Sequence, residues 1–151
     1  MRTLLLLAIA LLATAVQAQD VSLDPNYGDV ELDEGFTPDP YELELTAGGD
    51  VEVHVGGCDY GQVSEAPDFQ LTYTTSGNSD LYIYAVSGSD TTILVNTAEG
   101  EWVCDDDSFG DGDPIVVIPA AAGGVYDIWV GTYGDEMDGA TLFISEIDPR
   151  D

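Results

Sequence analysis

The stretch YELELTAGGDVEVHV, residues 41–55, alternates apolar and polar side chains on both sides of a turn with two adjacent glycines. Successive side chains of a β-strand point to opposite faces, so Tyr41, Leu43 and Leu45 would face a core while Glu42 and Glu44 face water. The turn and the valines that follow it predict a β-hairpin. This periodicity of two decides the fold class.

The same alternation continues along the rest of the chain, interrupted at short intervals by residues that favour turns, mainly glycine, serine and aspartate. No segment has the periodicity of an amphipathic helix. The pattern predicts an all-β fold, an antiparallel β-sandwich that is jelly-roll-like and has about eight to ten strands. Beyond the hairpin, the further strands are expected at residues 68–73, 81–86, 91–96, 101–104, 115–118, 125–133 and 140–147.

The amino terminus has the features of an export signal. Arg2 precedes an apolar run, residues 4–15, that is too short to span a bilayer, and Ala18 ends a stretch of small residues suited to signal peptidase. The sequence therefore predicts a signal peptide at residues 1–18 and a single β-sandwich domain at residues 19–151. We expect a periplasmic or secreted protein without membrane insertion.

The chain is strongly acidic: 30 aspartates and glutamates stand against two basic residues, for a formal net charge of −28. Removal of the signal would remove Arg2 and leave Arg150, because the chain has no lysine. Such a surface repels nucleic-acid phosphates and anionic lipids, and it attracts cations and basic proteins. Nucleic-acid binding is excluded on this ground. A saline habitat would produce a similar overall bias, since charged residues are usually solvated.

Cys58 and Cys104 are the two cysteines of the chain. In an exported protein a pair of cysteines favours a disulfide bond. A metal or redox pair is the alternative, but the two are not in a C-x-x-C arrangement and the chain has a single histidine. We predict a Cys58–Cys104 bridge.

The densest group of acids follows the second cysteine, in the segment CDDDSFGDGDP, residues 104–114. Like charges this close repel one another unless a counterion lies among them, and Ca²⁺ binds six to eight oxygen ligands of this kind. The spacing differs from that of an EF-hand, because Phe109 and Val116 occupy ligand positions. An ordinary solvated turn is the alternative. The predicted ligands of a divalent cation, which we expect to be calcium, are Asp105, Asp106, Asp107, Asp111 and Asp113.

Two other features are weaker candidates for a site. Asp135, Glu136 and Asp138 form a second acidic turn, which could complete the same cation site but is better interpreted as surface. His54, the single histidine, alternates with two valines and should lie on the solvated side of its strand. Without a pocket it makes a poor general base, and no G-x-S-x-G motif is present. We therefore expect no enzyme activity.

Segments spread over most of the domain carry a family resemblance. They are GFTPDPY (35–41), LTAGG (45–49), APDF (66–69), DTTILVN (90–96), WVCDDDS (102–108) and YDIWVGTY (126–133). Their order resembles that of the bacterial pre-peptidase C-terminal domains, which are exported β modules often appended to secreted proteases. The resemblance implies a jelly-roll-like sandwich, and in collagenases such modules bind calcium and protein substrates. It does not imply protease activity.

The sequence thus predicts an exported, non-catalytic module that binds calcium at the acidic loop and mediates binding to a protein or a surface polymer. The alternative is an acidic accessory or inhibitor protein that docks on a basic partner such as a secreted enzyme. A hydrolase that uses paired carboxylates is the third hypothesis.

Overall fold

The computed structural model describes residues 18–151, so the predicted signal peptide lies outside the described residues except for Ala18. In this range eleven strands form a 7-stranded sheet and a 4-stranded sheet, which confirms the all-β sandwich class. None of the described residues forms a helix long and apolar enough to cross a membrane. The strands are β1 (Asp29–Asp33), β2 (Tyr41–Ala47), β3 (Val51–Glu52), β4 (Gln62–Val63), β5 (Phe69–Thr74), β6 (Leu81–Ser87), β7 (Thr91–Asn96), β8 (Trp102–Asp105), β9 (Ile115–Ile118), β10 (Gly124–Thr132) and β11 (Asp138–Ser145).

Strand β10 organises the larger sheet, which we call sheet A. It pairs antiparallel with β5 along its first half and with β7 along its second half, and β4 joins it at Thr132. Strand β8 extends the sheet beyond β7, β3 extends it beyond β4, and β1 lies parallel to β5 at one edge. The smaller sheet, sheet B, has the order β2-β11-β6-β9 and is antiparallel throughout.

The predicted hairpin of residues 41–55 is wrong. Strand β2 pairs with β11 in sheet B, whereas β3 pairs with β4 in sheet A, so the turn between them carries the chain from one sheet to the other. Gly49 makes this crossing possible, because a Cβ atom there would lie 2.2 Å from the carbonyl carbon of Val63. Alternation identified both strands, but it contains no information about which sheet each strand joins.

The main core fills the space between the sheets. Leu71, Ile83, Ile128 and Leu142 are fully buried there, and the tyrosines Tyr73 and Tyr126 are buried with them. Their strands place every second residue inward, as the alternation predicts. Burying such side chains stabilises the fold by about 1.5 to 3 kcal/mol each relative to leaving them in water.

A second, smaller core lies on the other face of sheet A. Trp129 and Leu94 alternate with residues of the main core and so point away from it, where they pack with Val53 and Cys58. The rings of Trp102 and Trp129 have their centroids 5.4 Å apart. Residues 53–61 thus form a loop that covers the back of sheet A, and this loop carries much of the candidate site.

Candidate functional site

One end of the sandwich collects acids from several loops. Strands β3, β6, β8 and β10 end there and β4, β7, β9 and β11 begin there, so their connections and the β2–β3 turn meet at the same edge of the two sheets. We call this the acid-rich end: residues 48–50, 53–61, 88–90, 105–114 and 133–138. Its acids are Asp50, Asp59, Asp90, Asp105, Asp106, Asp107, Asp111, Asp113, Asp135, Glu136 and Asp138.

The β8–β9 loop, residues 106–114, is the largest part of this end and is well tied to its surroundings. Asp105 accepts hydrogen bonds from the backbone N–H groups of Ser108 and Ile115, each at 2.9 Å. The Asp113 carboxylate accepts one from the backbone N–H of Ser87 at 3.0 Å. The Phe109 ring packs on Tyr84 with centroids 5.0 Å apart. These contacts hold the loop against sheet B.

The five predicted cation ligands are therefore not equivalent. Asp105 and the buried Asp113 already accept hydrogen bonds from backbone N–H groups. Asp107 and Asp111 are exposed, and no described residue donates a hydrogen bond to their carboxylates. Burial, together with the charges of Asp107 and Asp105, raises the pKa of Asp106 above its ordinary value.

Within residues 18–151 no group of three or more histidines, cysteines, aspartates or glutamates is arranged to hold a metal ion. The predicted calcium site has the acids but not, in this arrangement, a converging set of ligands. Asp135 is also engaged, since its carboxylate accepts a hydrogen bond from the side-chain amide of Gln62 at 2.6 Å. Calcium binding stays a prediction.

The predicted disulfide is confirmed. Cys58 and Cys104 are bonded, and they join the 53–61 loop to the end of β8, directly before Asp105. Such a bridge is typical of oxidising compartments outside the cytoplasm. It fixes the loop that carries His54 beside the loop that carries the acidic run.

His54 lies at the acid-rich end, exposed as the sequence predicts, but it is not isolated. Its Nε2 atom is 3.3 Å from a carboxylate oxygen of Glu52, and its Nδ1 atom is 3.4 Å from one of Asp59. Hydrogen bonds to both acids raise the pKa of the imidazole. Among residues 18–151, His54 is the one side chain at this end that can carry a positive charge.

A cleft of about 220 Å³ opens beside His54. Its walls come from the end of β3, the 53–61 loop, the start of β4 and the start of the β10–β11 loop. The lining residues are Glu52, Val53, His54, Asp59, Tyr60, Gly61, Gln62 and Tyr133. Tyr133 is 57% exposed and stands at the rim. Burial and the charges of Asp106, Asp105 and Asp107 raise the pKa of the Tyr60 hydroxyl, so the cleft and the acidic run share one electrostatic field.

The sequence alone does not reveal this cleft. Alternation places His54 on the solvated side of its strand, but Asp59 and Tyr133 come together with it only through the folding of two loops. The single histidine of a very acidic chain was the available signal.

The aromatic rings of Tyr84 and Phe143, on the outer face of sheet B, pack against each other. Tyr84 is nearly buried between Phe109 and Phe143, with the Tyr84 and Phe143 rings stacked at 4.8 Å. These rings therefore act in packing, as aromatic residues at strand spacing most often do.

Comparison with known proteins finds distant structural similarity. No protein-family model matches the chain, and no curated protein sequence matches it. Among solved structures, the chain is similar to PliG of Aeromonas hydrophila, a periplasmic inhibitor of g-type lysozyme, with 15% identity and a TM-score of 0.44 over 82% of this chain and 98% of that chain. The resemblance to pre-peptidase C-terminal domains stays a prediction.

Proposed function

We propose that this protein is a non-catalytic, exported module that docks on a basic protein, such as a secreted enzyme, through its acid-rich end. The observation that carries the proposal is the charge balance there: acids from every loop of this end face a single ionisable cation, His54. A positively charged partner relieves this repulsion when it binds, and complementary charge speeds its encounter.

The rigidity of the end supports docking. The Cys58–Cys104 bridge, the Phe109–Tyr84 contact and the bond from Ser87 to Asp113 hold the loops before any partner arrives. A surface that is already ordered loses less conformational entropy on binding. Two large apolar side chains, Tyr133 and Met137, are exposed among the acids of the β10–β11 loop and offer apolar contact to a partner.

Binding to a panel of purified basic exported hydrolases, including a g-type lysozyme, tests the proposal by surface plasmon resonance at increasing salt. We expect at least one enzyme to bind, with an affinity that falls steeply as salt rises and does not change with a chelator. The variant Asp106→Asn/Asp107→Asn/Asp111→Asn should weaken this binding about tenfold, at roughly 0.5 kcal/mol for each charge.

A matched control removes the same charge elsewhere. Glu31, Glu99 and Glu101 are exposed and lie away from the acid-rich end, and their triple change to glutamine should leave binding within about twofold of the wild type. If both variants weaken binding equally, net charge rather than this end attracts the partner. If no basic enzyme binds, the proposed function is wrong.

A second candidate is a module whose docking depends on calcium at Asp105, Asp106, Asp107, Asp111 and Asp113. Burial and the charges of Asp107 and Asp105 raise the pKa of Asp106, and a divalent cation would relieve the repulsion among these acids. Loss of partner binding in chelator, restored by added calcium, would favour this second candidate over the first.

A further inference from the structure

The cleft beside His54 has a geometry suited to a cation. Its two carboxylates, those of Glu52 and Asp59, flank the imidazole with one acid on each ring nitrogen. A neutral imidazole has one N–H and so can donate to one of these acids, whereas a protonated one donates to both. The imidazole can therefore donate to both carboxylates at once only when it is protonated.

The rest of the cleft suits the head group of a long basic side chain. The tyrosines Tyr60 and Tyr133 line it, and an aromatic face attracts a guanidinium or an ammonium group. Asp135 extends the acidic wall through its hydrogen bond with Gln62. The volume of about 220 Å³ exceeds what a water molecule needs, at about 30 Å³.

The cleft is also fixed in shape. Val53 anchors one wall in the small core under Trp129, and Cys58 anchors the loop that carries Asp59 and Tyr60. Since neither wall depends on a partner for its conformation, little ordering is lost when a side chain enters.

We propose that this cleft receives an arginine or lysine side chain of the basic partner, and that protonated His54 competes for the same two carboxylates, so that docking is stronger when the imidazole is neutral. This inference rests on the proposed function and specifies which group of the partner is recognised and how pH regulates it. The charged or titratable groups that face His54 are Glu52, Asp59 and Tyr60, with Tyr133 and Asp135 on the opposite wall.

The probe for the test is N-acetyl-arginine methylamide, titrated into the protein at low salt and followed by NMR. The ring protons of His54 report on the cleft directly, because the chain has one histidine. We expect saturable shifts at pH 8.5 and an affinity about threefold lower at pH 6.0, where the imidazole is charged.

Two variants separate the parts of the proposal. In His54→Gln the competing cation is absent, so the affinity should be equal at both pH values. The variant Glu52→Gln/Asp59→Asn, which we call the seat variant, lacks the two carboxylates that would bind the probe. Its binding at pH 8.5 should therefore weaken about threefold or more, and its pH dependence should vanish. The control Glu99→Gln/Glu101→Gln should behave as the wild type. In the seat variant the pKa of His54, measured in the same spectra, should return toward its ordinary value.

The outcomes distinguish the inference from the proposed function. Equal wild-type affinity at both pH values, or wild-type affinity in the seat variant, overturns the inference even if a basic enzyme still docks through Asp106 and its neighbours. Failure of every basic enzyme to bind, with the arginine probe behaving as expected, overturns the proposed function instead.

Discussion

The two ends of the sandwich carry similar chemistry and handle it differently. At the opposite end, residues 34–40, 75–80, 97–101, 119–123 and 146–151, Glu34 and Glu146 are matched with donors: the Glu34 carboxylate accepts bonds from Ser76, Ser79 and Thr75. Glu146 accepts from the Tyr73 hydroxyl and the backbone N–H of Gly35. At the acid-rich end, Asp107 and Asp111 have no such donor among the described residues.

This difference shows that acidic composition alone does not indicate a site. The donors of the opposite end lower the pKa of Glu34 to about 2, which is the behaviour of a carboxylate used in structure. At the acid-rich end, burial and neighbouring acids raise the pKa of Asp106 and of Asp113. The carboxylates without donors among the described residues, those of Asp107 and Asp111, are the ones available to a partner.

Removal of the disulfide should have the largest effect, and it should act on the acid-rich end rather than on the opposite end. The bridge closes a segment with a sequence separation of 46 residues, and the chain-entropy model gives it about 4 kcal/mol. The variant Cys58→Ser/Cys104→Ser should lose about this much free energy of unfolding in urea denaturation. Hydrogen exchange should increase at residues 53–61 and not at the opposite end. Equal increases at both ends would show that the bridge does not act locally.

Titration of one buried acid, Asp68, sharpens the contrast with Glu34. Strand β5 pairs with β10 up to Ile128 and β4 pairs with it at Thr132, and the Asp68 carboxylate fills the gap by accepting the N–H of Val130 at 2.9 Å. Asn26 and Ser64 also donate to it, but burial dominates and raises its pKa to about 6.

A folded-state pKa above the unfolded value means that the folded protein binds more protons between about pH 4 and 6. The contribution of Asp68 is therefore fully present below its unfolded pKa and is lost as pH rises through about 6, by up to about 3 kcal/mol. In Asp68→Asn this pH-dependent loss should disappear. The effect of Glu34 has the opposite sign. Because its pKa is lowered in the folded protein, Glu34 stabilises the fold at pH values above its unfolded pKa, and this stability is lost in acid. In Glu34→Gln that loss in acid should disappear. Denaturation curves from pH 3 to 8 measure both, and an unchanged profile in Asp68→Asn would contradict the assignment.

Calcium should have the smallest effect. If the cation binds the acidic loop, a concentration equal to its dissociation constant adds about 0.4 kcal/mol and raises the melting temperature. Asp107→Asn/Asp111→Asn should abolish the rise, while Glu99→Gln/Glu101→Gln at the opposite end should keep it. Identical melting temperatures with calcium and with chelator would show that the loop does not bind calcium, and the docking proposal would be unaffected.

The strands were predictable because alternation is local. Seven predicted segments agree with β5 to β11 to within about two residues at each end, and Thr91–Asn96 and Ile115–Ile118 agree at both ends. Strand β4 was missed because two residues carry no periodicity, and the short edge strand β1 was missed with it. The hairpin failed for a different reason, since the sheet that a strand joins depends on distant partners such as Val63.

Some parts of the candidate site could likewise be predicted from the sequence and others could not. The disulfide followed from composition and compartment, and the acidic loop followed from its consecutive aspartates. The cleft beside His54 depends on Asp59, Tyr60 and Tyr133 reaching one place through separate loops. Sequence order contains no distances between such loops, so spacing alone could not reveal it.

The free edge of sheet A has a consequence for how copies of this protein meet. Along β1 the exposed residues are Asp29, Glu31 and Asp33, so every second side chain at this border is negative. A second molecule that extended the sheet here would bring its own acids against these, and unpaired strand borders protected by charge resist the stacking that leads to fibres. The protein can therefore be crowded without its open border becoming a template for aggregation.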